Sequence, residues 1–252
     1  MARDEFVSEL RGSLASAGEN DALVFIHGYN VGFADAARRA AQIAFDLKFS
    51  GRTLLYSWAS AGEPHKYTVD EATVEWSAPH FEAFLRLALT EIGARAVHVV
   101  AHSMGNRPLV RALERFDAST LPPGAATLRQ IILAAPDVDS DTFRQLAAAF
   151  KGRAQGVTLY ASSRDLALKV SKAVHGYRRA GDAGDALVIV DGVDTVDATK
   201  VDTSLLGLRH SYFGSKRSIL SDIFHVITQG KAPDLRFDLE ATPAGKYWLY
   251  RE

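Results

Sequence analysis

Short apolar runs rich in β-formers alternate with longer amphipathic stretches, and no other feature constrains the fold of this chain as tightly. The apolar runs are Ala22–Ile26, Thr53–Trp58, Ala96–Ala101, Arg129–Ala134, Val157–Ala161 and Ala186–Val190. Helical patterns lie between them near Ala34–Phe49, His80–Ile92, Asn106–Phe116, Asp141–Phe150 and Leu166–Val174, and a last helix is predicted over Lys216–Ile227. Strands that are apolar throughout, each followed by a helix, predict an α/β fold: a mostly parallel central sheet with helices on both faces. Ligands of such sheets bind at the carboxyl ends of the strands. A length of 252 residues without repeat or linker suits one domain, residues 1–252.

Two segments break the alternation. Ala59 to Pro79 is a long polar connection, which suggests a small lid or binding loop over residues 59–79. The tail from Phe237 to Tyr250 carries short apolar clusters that predict edge strands, or a packing of Tyr247–Tyr250 over a sheet edge.

Charge and composition narrow the function. Lys plus Arg number 29 against 30 Asp plus Glu, so the chain has no long-range attraction for nucleic acid or anionic membrane. The absence of Cys removes thiol nucleophiles, disulfides and Cys-based zinc sites. No stretch approaches the ~18 uninterrupted apolar residues of a membrane span. Met1–Phe6 lacks the apolar core of a secretion signal, which predicts a cytoplasmic protein as given, or an exported one if a signal was removed.

The chemistry concentrates at Ala101-His102-Ser103-Met104-Gly105, between an apolar run and a helical pattern. A serine at such a sharp strand-to-helix corner adopts strained backbone angles, so the residues two places either side must be small. Ala101 and Gly105 meet that demand, although Gly is commoner at the first place. The corner lifts the Ser103 hydroxyl above the sheet and turns the Met104 amide into the same space, offering a nucleophile and half of an oxyanion hole. The other half is expected from the loop after the first strand, His27-Gly28-Tyr29-Asn30, with Tyr29 as amide donor and Asn30 as a side-chain contact. His27 reads as a brace for that loop.

A serine hydroxyl needs a base, and the base needs an acid to orient it. Of the histidines downstream, His210 lies in the loop between the last strand and the last helix, where a base belongs. His225 falls in an apolar helical pattern and is the alternative, whereas His175 closes a helix. For the acid, Asp165 follows the last strand but one. Asp137 and Asp139 follow the strand before it and stay open as alternatives, because each of the three could simply cap a helix. Trp58, Tyr67 and Trp76 are candidates for lining a substrate pocket.

The segments His27–Asn30, Ser57–Gly62, Ala101–Gly105, Ala134–Asp139 and His210–Phe213 together resemble a bacterial group of α/β-hydrolases of the esterase/lipase superfamily, a family of unknown function. The resemblance spans roughly Ala22 to Ile227. It implies an α/β-hydrolase fold in which Ser103, Asp165 and His210 match the family's triad. Relatives commonly carry an export or lipoprotein signal, a pattern from which this chain departs. Together these readings predict a serine carboxylesterase acting on soluble short- to medium-chain esters of small molecules, without metal or cofactor. An amidase, peptidase or thioesterase on the same triad is the alternative within the enzymes, and a non-catalytic binding module on a hydrolase scaffold is the alternative outside them.

Overall fold

The computed structural model describes residues 2–164, 168, 171, 176–201 and 219–251. Among the described residues eight strands form one sheet in the order β2-β1-β3-β4-β5-β6-β8-β7. They are β1 (Asp21–Ile26), β2 (Arg52–Tyr56), β3 (Ala96–His102), β4 (Thr127–Ala134), β5 (Gly156–Ala161), β6 (Asp194–Asp197), β7 (Leu239–Ala241) and β8 (Trp248–Tyr250). All neighbours run parallel except β7, which pairs antiparallel with β8. The helices are α1 (Arg3–Ala15), α2 (Phe33–Asp46), α3 (Tyr67–Trp76), α4 (Ala78–Thr90), α5 (Asn106–Arg115), α6 (Ser140–Ala147) and α7 (Ile219–Gln229).

The period-2 alternation of side chains splits each central strand between two cores. Val24 and Ile26 of β1, Val97 and Val99 of β3 and Leu133 of β4 pack with α1, α3, α4, α5 and α6. Leu23, Phe25, Val100 and Ile132 point the other way and pack with α2 and α7. Both faces are therefore covered, which is why these strands read as unbroken apolar runs. No described helix is long and apolar enough to cross a membrane.

Three local expectations change. The run Ala186–Val190 is not a strand: Ala186 closes a single helical turn, Gly184–Ala186, and the sixth strand is Asp194–Asp197. Val188 and Val193 are buried against the core, and the Thr195 hydroxyl donates to the Val188 carbonyl, so apolar burial without sheet pairing mimicked a strand. The connection 59–79 holds α3 and the start of α4, with Pro79 in the first turn, where its missing N–H costs nothing. An additional helix, α1, buries only Val7 and Leu14, too sparse a stripe to stand out in the sequence. The predicted helix Leu166–Val174 and the predicted start of the last helix at Lys216 lie largely outside the described residues.

Register levels the carboxyl ends of the strands. Ile26 pairs with both Tyr56 and Ala101, Ala134 with both His102 and Tyr160, and Ala161 with Asp197. The loops that leave β1, β3, β4, β5 and β6 thus emerge along one edge.

Candidate active site

Ser103 is the residue at which β3 ends and a tight turn feeds α5. Its φ is +50°, the left-handed region that costs a residue with a Cβ roughly 1 kcal/mol or more. The neighbourhood fixes that angle. The side-chain amide of Asn106 donates to the Ser103 carbonyl at 3.0 Å and lies 3.3 Å from that of Ala101, and the Asp137 amide also donates to the Ser103 carbonyl. Gly105 lies so close to β1 that a Cβ there would stand 2.5 Å from the His27 carbonyl oxygen. The small residue at this place is a packing requirement.

Gly28 meets the turn from the other side. A Cβ on it would stand 2.9 Å from the Ser103 Cβ and 2.7 Å from His102 Nδ1. The loop after β1 therefore lies directly against the serine. His27 carries the loop's base: its Nδ1 pairs with the Gly28 carbonyl, and its Nε2 contacts the Ser57 hydroxyl and the Trp58 carbonyl. The Trp58 indole stacks on the imidazole with centroids 5.0 Å apart and donates to the His27 carbonyl. Burial pushes the His27 pKa down, against the opposing pull of those carbonyls. Burial, with repulsion from Arg39 and His27, also pushes His102 down, to about 3. Both histidines are held neutral beside the serine.

A strand-to-helix serine turn at the end of β3, opposed by the loop after β1, is the architecture of an α/β hydrolase. The model of the family described as alpha/beta hydrolase of unknown function (DUF900) matches residues 2–229.

The chain belongs to that family.

Among solved structures, a candidate cell surface hydrolase from Lactobacillus plantarum WCFS1 is similar at 13% identity and a TM-score of 0.46, over 85% of this chain and 94% of that chain. Thermogutta terrifontis esterase 2 phosphoramylated by tabun is similar at 12% identity and a TM-score of 0.37, over 85% of each chain. No curated protein matches the sequence.

In this α/β hydrolase the remaining predicted residues fall into distinct places. Asp165 and His210 lie outside the described residues, as does His175. The described segments that precede them are tied together, because the Ser163 amide donates to the Thr199 hydroxyl at 3.0 Å. Met104 is buried beneath the turn. Tyr29 sets its ring edge-on to Tyr67 at 5.2 Å and donates its hydroxyl to the Pro64 carbonyl. Asn30, at φ +57°, presents its backbone amide to Asp70. Trp58 is a core residue, and Trp76 is 69% exposed at the end of α3, its ring tilted against His80. His225 pairs with Gln229 one turn along α7.

The two alternative acids have other partners. Asp139 caps α6, accepting from the Asp141 and Thr142 amides. Burial raises its pKa, but those hydrogen bonds outweigh it and hold the carboxyl below its usual range. Asp137 is buried and saturated: the Tyr67 hydroxyl donates to Oδ2 at 2.6 Å, the Ser171 hydroxyl to Oδ1 at 2.5 Å, and the Arg179 guanidinium lies 3.3 Å away. Arg107 on α5 adds a bond to the Asp137 carbonyl and pairs with Glu71 on α3. Burial, followed by the Asp137 charge, pushes the Tyr67 hydroxyl far above its usual range, so it remains a donor at all ordinary pH.

Sequence reasoning missed this network of Arg107, Ser171 and Arg179, and the buried carboxylate of Asp70 that receives the Asn30 amide. One signal for Asp70 was present. Tyr67, Asp70 and Val74 are spaced as one helical stripe, and all three are buried, so a carboxylate occupies a core position.

Proposed function

We propose that the protein is a serine carboxylesterase for small soluble esters with short or medium acyl chains. The observation that carries this reading is Ser103 at φ +50°, packed against Gly28 of the opposing loop. A residue held in such strain by surrounding hydrogen bonds is the usual mark of a site that uses it. His210 accepts the proton as the Ser103 oxygen attacks the ester carbonyl, and the amides of Tyr29 and Met104 stabilise the oxyanion. His210 then protonates the departing alcohol, and water, deprotonated by the same base, hydrolyses the acyl-enzyme.

Asp165 orients His210 in this reading. Asp137 is the weaker candidate because Tyr67, Ser171 and Arg179 already occupy its carboxylate. The alignment of Ala161 with Asp197 supports the assignment, since the segments bearing Asp165 and His210 leave the sheet side by side. His27 and His102 are unsuited to the role of base: His27 is consumed in bracing the loop, and burial lowers the basicity of both.

Hydrolysis of p-nitrophenyl butyrate by the wild type and by Ser103→Ala tests the proposal. Turnover by the wild type that disappears in the variant is the expected result. Matched amide and thioester substrates compared alongside decide between an esterase and the other acyl transfers open to the same residues. A chain-length series peaking on long-chain esters would contradict the substrate class.

A further inference from the structure

Asp70 carries a fully buried carboxylate, on a helix that otherwise buries Tyr67 and Val74. A buried charge is costly unless its hydrogen-bonding capacity is met. Among the described residues its partners are two backbone amides and a hydroxyl rather than a cation. Oδ2 accepts from the Asn30 amide at 3.1 Å and from the Ser60 hydroxyl at 2.6 Å, and Oδ1 accepts from the Ala61 amide at 2.6 Å. The Ser60 oxygen in turn accepts from the amides of Val31 and Gly62, both at 3.2 Å. Consecutive amides of the loop after β1 therefore end on one carboxylate, Asn30 directly and Val31 through Ser60.

We infer that Asp70 is a positioning residue for the oxyanion site, acting through the loop His27–Val31. The inference rests on the reading of Tyr29 as an oxyanion donor. The peptide unit that bears the Tyr29 amide is fixed on both sides. Gly28 before it is pressed on Ser103, and Asn30 after it is held at φ +57° with its amide on Asp70. A left-handed residue with a Cβ relaxes readily unless its surroundings over-determine it. Removing the carboxylate frees Asn30, and the Tyr29 amide then loses its fixed direction while the sheet and the serine turn stay intact. Such an amide contributes in the transition state more than in substrate binding, so its misdirection lowers kcat and leaves KM nearly unchanged.

The test uses Asp70→Ala, Asp70→Asn and Ser60→Ala in the full chain. Amide exchange is followed over residues 27–31 and over β3, with kcat and KM on p-nitrophenyl butyrate and the inhibition constant of a trifluoromethyl ketone measured in parallel. In Asp70→Ala, exchange should rise across 27–31 while β3 keeps its protection. There kcat should drop roughly 10- to 100-fold with KM within about threefold, and the ketone should weaken by a similar factor to kcat. Ser60→Ala, which keeps the Asn30 bond, should show a smaller loss of the same kind. Unchanged exchange over 27–31, or loosened exchange with unchanged kcat, would overturn the inference. So would a rise in KM that matches the fall in kcat. If the wild type hydrolyses no ester, the functional reading fails, and the exchange comparison alone still decides whether Asp70 holds the loop. If Asp70→Ala does not fold, Asp70→Asn and Ser60→Ala give the same readouts.

Discussion

The amide of Asp137 donates a 3.2 Å hydrogen bond to the carbonyl of Ser103, joining the end of β4 to the strained turn after β3. Asp137 is itself gripped through its carboxylate by Tyr67 from α3 and through its carbonyl by Arg107 from α5. The serine turn is thus backed by a buried polar network reaching from the sheet edge into the helices that cover it. Gly28 closes the turn from the opposite side. Rigid surroundings of this kind let a serine keep a left-handed backbone that it would otherwise relax.

Gly28→Ala is expected to abolish most of the activity without unfolding the protein. The new Cβ would meet the Ser103 Cβ at 2.9 Å and His102 Nδ1 at 2.7 Å, so the loop must back away from the serine. Loss of one oxyanion donor costs about 10²- to 10³-fold in kcat. Steady-state kinetics beside a far-ultraviolet circular dichroism spectrum check both halves of the expectation.

Activity should decline as pH falls through about 6.5, the ordinary pKa of histidine, because His210 must be neutral to take the serine proton. Burial pushes both His27 and His102 down, and His102, at about 3, contributes no limb there. The pH dependence of kcat/KM between 5 and 8 reads this directly. A flat profile would remove His210 from the mechanism.

Tyr67→Phe should lower stability by about 1–3 kcal/mol, the usual consequence of removing one partner from a buried hydrogen-bonded network. The lost hydroxyl leaves Asp137 Oδ2 short of its donor and deprives Arg107 of a contact at 3.3 Å. Urea denaturation of the two proteins gives the difference.

Stability should also fall in mild acid through His98. Burial holds its pKa near 4, opposed by Asp21 at 3.8 Å and aided by Arg129 and Arg95. The unfolded chain takes up a proton near pH 6.5 that the folded chain refuses. The contribution is complete above about 6.5 and is lost progressively as pH drops toward 4. Between pH 7 and pH 5 the loss at this one site is about 2 kcal/mol. Urea melts at both pH values should show a smaller drop for His98→Gln than for the wild type.

The sheet was legible because its strands bury both faces, and unbroken apolar runs such as Ala96–Ala101 mark that arrangement without help from context. The serine turn was legible for a related reason: its small neighbours are demanded by contact with β1, and sequence records such demands locally. The strand Asp194–Asp197 was hidden because only Thr195 and Val196 are buried, and the more apolar run before it drew the assignment. Asp70 and the Asp137 network escaped because their partners lie 9 to 104 residues away in sequence. Buried carboxylates look like helix caps or solvated charges until the fold brings their donors in. Trp58 shows the converse, an aromatic beside the site whose indole holds a backbone carbonyl in the core.

The central claim, that Ser103 is an activated nucleophile, is tested most directly by covalent labelling. The intact protein is treated with a serine-directed fluorophosphonate, digested, and mapped by mass spectrometry. The expected result is one adduct, on Ser103, absent in Ser103→Ala and greatly slowed in His210→Gln. A native protein that takes up no label, or takes it on other serines alone, would contradict the account and favour a binding module on a hydrolase scaffold.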